Sequence, residues 1–365
     1  MKIFLSPPNM GGKEQEYVKK AFESNYIAPL GEFVDKFEAS VCAYCGAKAA
    51  LALNSGTSAL HLMLHAAGIK DGDVIMASSF TFMASVNPIL YERCEPIFID
   101  CDESWNLSPK LLKKAIKTAD KKPKALIVTH LYGQAAKMSE IMEICENENI
   151  LVFEDAAEAL GGFYKGKALG TIAKAGALSF NGNKIITTSG GGMLISDDEE
   201  FVRKARFYST QAREPQLHYE HKDYGYNYRL SNILGAIGCG QMEVLPKRVE
   251  RKREVFEIYR NLLSNLNVEF MPEIDASKGN RWLTTLVFDK PNLHLKVIDA
   301  LAKNEIESRP LWKPMHIQPI FKGAKAVIDG TSEDLFSRGI CLPSGSDLKD
   351  EQIAQICDII KAAVC

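Results

Sequence analysis

The strongest constraint in this sequence is a rhythm. Between residues 49 and about 200, short apolar runs alternate with longer stretches whose apolar residues recur every three or four positions. The runs are Ala49–Leu53, Val74–Ala77, Pro96–Ile99, Ala125–Thr129, Leu151–Glu154, Ala175–Phe180 and Met193–Ile195. Each has the length of a strand buried on both faces. The stretches between them, among them Ser58–Ala67, Pro109–Thr118 and Ser139–Asn147, read as crossover helices. Strands joined by helices pair in parallel, so the rhythm predicts an α/β fold with a mainly parallel, seven-stranded sheet covered on both faces. Ligands of such a sheet bind beyond the carboxyl ends of its strands.

After Arg229 the rhythm changes. Ser231 can cap a long helical stretch that passes Met242 and continues to Leu263, with a kink or break expected at Pro246. A strand at Leu283–Phe288, a helix at Lys296–Lys303, a strand at Ile340–Leu342 and a last helix from Asp350 then read as a smaller α/β domain. The expected division is residues 1–240, the large domain with its N-terminal segment, and 241–365, the long helix and the small domain. A chain of 365 residues accommodates both.

Composition narrows the partners. Lys+Arg 44 against Asp+Glu 46 leaves a net charge of −2, so no global field draws the chain to nucleic acid or to an anionic bilayer, and small-molecule partners are expected. No apolar run approaches the roughly 18–20 residues of a membrane helix, and the start MKIFLSPPNMGG carries no signal-peptide core, so a cytoplasmic protein is expected. Nine cysteines, an odd number thinly spread, do not suggest a disulfide framework. Cys42-Ala-Tyr-Cys45 has no second pair, and no metal site is expected.

The chemistry concentrates at strand ends. Asp155 closes Leu151–Asp155, and Lys184 lies just beyond the run that ends in Ser179-Phe180, so both face the ligand edge of the sheet. A lysine that condenses with an aldehyde and an aspartate that keeps a pyridine nitrogen protonated are what pyridoxal phosphate requires. For the pair alone, a surface salt bridge is the simpler reading. Asn54-Ser-Gly-Thr-Ser-Ala59 shifts the balance, because it follows a strand and opens a helix whose first N–H groups and hydroxyls can cradle a phosphate. Ser179 adds a hydroxyl.

Six segments together carry a resemblance: Asn54–Leu60, Ser79–Ser85, Glu154–Ala159, Ser179–Lys184, Gly190–Met193 and Asn227–Ser231. In content and order they resemble the motifs of the DegT/DnrJ/EryC1/StrS family, fold-type-I pyridoxal-phosphate-dependent nucleotide-sugar aminotransferases, from Pro8 to the final helix. Within it, Ser24–Gly31, His218–His221, Tyr224–Asn227 and Arg309–His316 look most like transaminases that aminate C4 of a UDP-linked 4-keto-6-deoxy-N-acetylhexosamine in the bacillosamine pathway of protein glycosylation.

The resemblance implies roles. Lys184 would be the Schiff-base lysine and proton carrier, Asp155 the partner of the pyridinium, and Phe82 the ring stacked on the cofactor. Gly56, Thr57 and Ser179 would hold the phosphate, with Asn227 arriving from a neighbouring subunit of a homodimer. Asn183 and Arg229 are candidates for the substrate; Asn25, Tyr26, Ile27 and Ala28, with Trp312, Lys313, Met315 and His316, are candidates for the nucleotide-sugar. Glutamate is the expected amino donor. Glu158 departs from the Gln or His of many members, and beside a phenolate it must be protonated or turn toward the substrate.

Other features are decoys in this reading. Gly161–Lys167 has P-loop spacing, but Ala168 stands where a Ser or Thr would bind magnesium. His61 and His65 read as core or interface histidines, and Cys341 as an inert buried thiol. The basic run Lys247–Arg253 reads as the solvated face of a helix. Retention of Lys184 disfavours a sugar dehydratase, in which a histidine takes that place; an aminotransferase for a different nucleotide-linked keto-sugar with an axial, pseudaminic-acid-type product is the first alternative, and a desulfurase and a cofactor-binding dimer without turnover are more distant ones.

Overall fold

The computed structural model describes residues 2–364. Two helices come first, α1 (Glu14–Glu23) and α2 (Glu32–Cys45), followed by β1 (Ala49–Leu53) and α3 (Gly56–Ala66). Then come β2 (Val74–Ser78), β3 (Glu95–Ile99), β4 (Ala125–Thr129) and β5 (Leu151–Asp155), a small hairpin of β6 (Phe163–Tyr164) and β7 (Lys167–Ala168), and β8 (Ala175–Ser179) and β9 (Gly192–Ser196). The C-terminal part adds β10 (Val268–Phe270), β11 (Ser277–Lys278), β12 (Thr284–Phe288), β13 (Arg309–Pro310), β14 (Lys325–Val327) and β15 (Gly339–Leu342).

All seven anticipated strands are present, but the sheet has eight, in the order β1-β9-β8-β5-β4-β2-β3-β14. The eighth, β14, comes from the far end of the chain and pairs in parallel with β3. Three largely exposed residues carry no burial pattern, which is why it is illegible in sequence. Within the sheet β9 alone runs against its neighbours, β1 and β8. The crossover helices Pro109–Thr118 and Met138–Asn147 lie where expected. Two apolar layers cover the faces, one around Phe37, Met76, Leu126 and Phe180, the other around Leu62, Ile75, Phe98 and Phe153. That is the doubly covered arrangement the rhythm predicts, and it agrees with the fold-type-I architecture the resemblance implies.

A helix of 31 residues, Asn232–Leu262, links this body to the rest. Ser231 caps it, accepting the Leu234 N–H at 3.4 Å. The expected break at Pro246 does not occur. Proline forfeits one backbone bond, but the helix runs on through it, with Leu245 and Val249 on either side buried in the core. Its second half supplies Val255 and Tyr259, and the residue after it Leu263, to a separate core with Leu286, Phe288, Ile340, Leu342, Ile353 and Ile356, beneath the antiparallel sheet β10-β12-β15-β13. Ile3 from the chain's start is seated in that same core and bridges to Ile306.

Candidate active site

Three strand ends meet at one cavity of about 300 Å³. The first is the end of β1, where Ser55 caps α3 by accepting the Ser58 N–H at 3.1 Å, while the Ser58 hydroxyl donates to Asn54 Oδ1 at 2.6 Å. The first N–H groups of α3, at Gly56 and Thr57, have no intrahelical acceptor and open into the cavity. Side-chain-free backbone makes this approach possible. A Cβ on Gly192 would stand 2.2 Å from the Ser55 carbonyl carbon, so β9 can press against the helix start only through glycine.

The second strand end is that of β5. Alternation sends Glu154 and Asp155 to opposite faces. Glu154 is fully buried, bound to His130 Nε2 at 2.8 Å and to the N–H groups of Gly170, Ile172 and Ala173, so it anchors a loop. Asp155 faces the cavity, accepting the Ser85 hydroxyl at 2.5 Å and the Ala157 N–H at 3.0 Å. Among the described residues no cation pairs with this buried carboxylate. A buried carboxylate held only by neutral donors is suited to a positively charged ligand group.

The third is the end of β8, which presents Ser179 and, five residues on, Lys184. The Lys184 ammonium nitrogen lies 3.9 Å from the centroid of the Trp282 ring and 3.7 Å from Glu158 Oε1. Glu158 is buried, and its Oε2 accepts the Tyr132 N–H at 2.7 Å. Burial pushes its carboxyl above the usual carboxylate range, against the pull of Lys184 and of the Tyr132 N–H. Phe82, 53% exposed, lays an uncovered aromatic face on the cavity wall, 5.7 Å from the Trp312 ring.

Of the residues singled out in sequence, the cavity gathers Gly56, Thr57, Phe82, Asp155, Glu158, Ser179, Asn183, Lys184 and Trp312. Others lie elsewhere. Arg229 does not meet the cavity: it is buried, 3.7 Å from Glu38, a carboxylate that also binds Arg206 at 2.7 Å and the Ala52 N–H at 2.8 Å. A guanidinium held in that cluster braces the end of β1. Met315 is core, and its N–H binds the Ser79 carbonyl; His316 grips the Ser79 hydroxyl at 2.6 Å. Both therefore anchor the loop that carries Trp312 instead of lining the cavity, and Lys313 is exposed beside it. Asn25, Tyr26, Ile27 and Ala28 form an outer loop pinned by Asn232, whose side chain donates to the Tyr26 carbonyl at 2.7 Å and whose N–H binds the Ala28 carbonyl. Asn227 is exposed and outside the lining.

Sequence reasoning missed Trp282, Thr81, Ser85, Thr129 and Ala157. Ser85 stood within a quoted motif but had no assigned partner; Trp282, nearly a hundred residues from Lys184, gave no signal at all. The decoys resolve in structural terms. Gly161–Lys167 spans the β6–β7 hairpin, whose Lys165-Gly166 turn has positive φ at both residues, not a strand-to-helix turn. Cys341 is fully buried, and burial pushes its thiol well up.

A cavity with helix-start N–H groups and hydroxyls, a buried carboxylate, a flat aromatic wall and a lysine fits a phosphorylated pyridine aldehyde. Comparison with known proteins agrees. The DegT/DnrJ/EryC1/StrS aminotransferase family matches residues 8–361. EpsN of Bacillus subtilis (strain 168), assigned as a pyridoxal phosphate-dependent aminotransferase, is 50% identical over 368 residues, covering 98% of this chain and 95% of EpsN. GDP-perosamine synthase of Escherichia coli O157:H7 is 36% identical over 354 residues, covering 97% of this chain and 96% of that one. A DegT DnrJ EryC1 StrS aminotransferase from Brucella abortus, solved by crystallography, superposes with a TM-score of 0.90 at 26% identity, over 96% of this chain and 95% of that one. The chain belongs to the DegT/DnrJ/EryC1/StrS family and is a pyridoxal-phosphate-dependent aminotransferase of nucleotide-linked sugars.

Proposed function

We propose that the chain transfers an amino group from glutamate to C4 of a UDP-linked 4-keto-6-deoxy-N-acetylhexosamine, giving UDP-4-amino-4,6-dideoxy-N-acetylglucosamine. The observation that carries the transaminase chemistry is the convergence of Lys184 and Asp155 on one cavity. When bound, the cofactor supplies a carbonyl that condenses with amines and a ring that withdraws electrons. Asp155 neutralises the ring nitrogen, and Ser85 and Ala157 hold that carboxylate in place. Gly56, Thr57 and Ser179 bind the phosphate, and Phe82 excludes water from one ring face. Lys184 Nζ would take the proton from the donor carbon that bears the nitrogen and deliver it to the cofactor carbon that receives that nitrogen, and would carry a proton the opposite way when the keto-sugar is aminated. Glu158, whose carboxyl pKa is raised by burial, would lie on the side of the phenolic oxygen and could share a proton with it.

The UDP-sugar assignment rests on the segments Ser24–Gly31, His218–His221, Tyr224–Asn227 and Arg309–His316. Asn227 completes the phosphate site of a second copy in a homodimer, a role supported by its exposure and its absence from the lining of its own cavity. Residues 1–240 and 241–365 act as the cofactor-binding and smaller units of the same chain. A GDP-linked keto-sugar is the second reading, favoured by the similarity to GDP-perosamine synthase; an axial, pseudaminic-acid-type product is the third.

The test is spectroscopic. Glutamate added to the purified, cofactor-loaded protein is expected to bleach the visible absorption of the cofactor. Addition of a UDP-4-keto-6-deoxy sugar, but not of a GDP-linked one, restores it, and NMR of the product reads an equatorial amine. Restoration by the GDP-linked sugar alone would replace the proposed substrate. A protein that stays colourless with added pyridoxal phosphate would end the cofactor assignment.

A further inference from the structure

The basic run Lys247–Arg253 is not the solvated face its composition suggests. Arg248 donates to the Met10 carbonyl at 3.0 Å, Arg251 to the Leu348 carbonyl at 2.6 Å, and Arg253 to the Gly279 carbonyl at 2.8 Å. Lys252 goes further. Its side chain is fully buried, and its Nζ donates to the Ser344 carbonyl at 2.7 Å, the Trp282 carbonyl at 3.0 Å and the Ser6 hydroxyl at 3.2 Å. Three segments far apart in the chain thus meet on one ammonium, whose three N–H bonds are all used. Among the described residues no carboxylate pairs with it. Burial lowers its amine from 10.5 to about 7, against the pull of Asp347, so holding a cation here is costly, and an apolar side chain of similar volume commonly costs less. Its placement therefore calls for a reason beyond stability.

Trp282 supplies one. Its N–H donates to Asn280 Oδ1 at 2.8 Å, and its indole Nε1–H donates to the Asn183 carbonyl at 2.8 Å, one residue before Lys184. Its ring face lies 3.9 Å from Lys184 Nζ. Amide, indole and carbonyl are each held, and the Lys252 ammonium holds the carbonyl.

We propose that Lys252 is a positioning residue, whose ammonium fixes the main chain at Trp282 and so keeps the indole face packed against the reactive Lys184 amine. The indole does two things there: its π-face attracts the charged amine, and its bulk keeps water from that side. Released from Lys252, the ring shifts and the amine loses its defined approach. The inference rests on the reading of Lys184 as the reacting amine.

The experiment compares Lys252→Met, Trp282→Phe and the double variant. In the loaded enzyme, Lys252→Met is expected to lower kcat on the order of tenfold with KM for glutamate nearly unchanged. The double variant is expected to be no slower than Trp282→Phe alone. In the cofactor-free chain, which has three tryptophans, acrylamide quenching attributable to Trp282, read by subtracting the spectrum of the Trp282→Phe counterpart, rises in Lys252→Met. A folded Lys252→Met with unchanged kcat and unchanged quenching, or with losses that add to those of Trp282→Phe, overturns the proposal. Should Lys252→Met fail to fold, Lys252→Arg keeps the charge while moving its donors: the same loss and the same quenching uphold the proposal, and neither changing overturns it. If Lys184 is instead not the reacting amine, Lys184→Ala retains turnover while the quenching change persists, which separates the two failures.

Discussion

At the scale of single residues, burial decides which charged groups serve the cavity and which serve the frame. His61 and His65 both belong to the frame. His65 Nδ1 binds Glu92 Oε1 at 2.9 Å, and His61 Nε2 lies 3.0 Å from the same oxygen but with poor hydrogen-bond alignment. Burial raises the Glu92 carboxyl, yet the two imidazoles outweigh it and hold the group down at about 2, from an ordinary 4.5. A folded-state value below the unfolded one means that the stabilisation is complete above pH 4.5 and drains away as the pH falls through about 2. Acid denaturation of Glu92→Gln, followed by circular dichroism, is expected to show a shallower loss over that window than the parent chain. Lys184 and Asp155 were legible in sequence because each sits at or just past a strand end, where position dictates direction; Glu158 was singled out only through the family resemblance. Arg229 was misread because its neighbour in space, Glu38, is distant in sequence.

At the scale of elements, helices do what their caps and small residues allow. α2 packs so closely on the long helix Asn232–Leu262 that a Cβ on Gly235 would stand 2.9 Å from the Phe33 carbonyl carbon, and one on Gly238 2.8 Å from the Phe37 ring. Backbone on one side cannot give way as a side chain can. Gly235→Ala is therefore expected to lower stability by about 1–3 kcal/mol, read as a reduced midpoint in urea, while an alanine at Gly190, where a Cβ meets nothing within 4 Å, is tolerated. Periodicity revealed the helix but not its partners. The same limit explains Lys247–Arg253: charge composition suggests solvent, whereas Arg248, Arg251, Lys252 and Arg253 donate to carbonyls of other segments and Lys252 is buried.

At the scale of the whole molecule, the exposed apolar side chains Phe22, Tyr26, Ile27 and Leu30, each between 47% and 58% exposed, accompany the outer loop at Asn25–Ala28. Together with outward-facing Asn227 they support a shared active site between two copies. Lys184→Ala and Asn227→Ala chains, each nearly inactive alone, are expected to recover about a quarter of wild-type activity when refolded together, because random pairing leaves one intact site in each mixed dimer. Recovery absent from a mixture that forms mixed dimers, or full activity of Asn227→Ala by itself, would show that each chain completes its own site.

The sequence alone determined the layered α/β architecture, since apolar period and turn residues are local properties that each segment carries with it. It also determined which lysine, aspartate and helix start meet the ligand edge, because in a parallel sheet every strand's carboxyl end points the same way. Only the tertiary structure decided that Trp282 packs on Lys184, that Lys252 is interior, that Glu38 claims Arg229 and that Lys325–Val327 extends the main sheet. Each of those depends on a contact between residues dozens to hundreds of positions apart, and no local pattern encodes where such partners will be brought together.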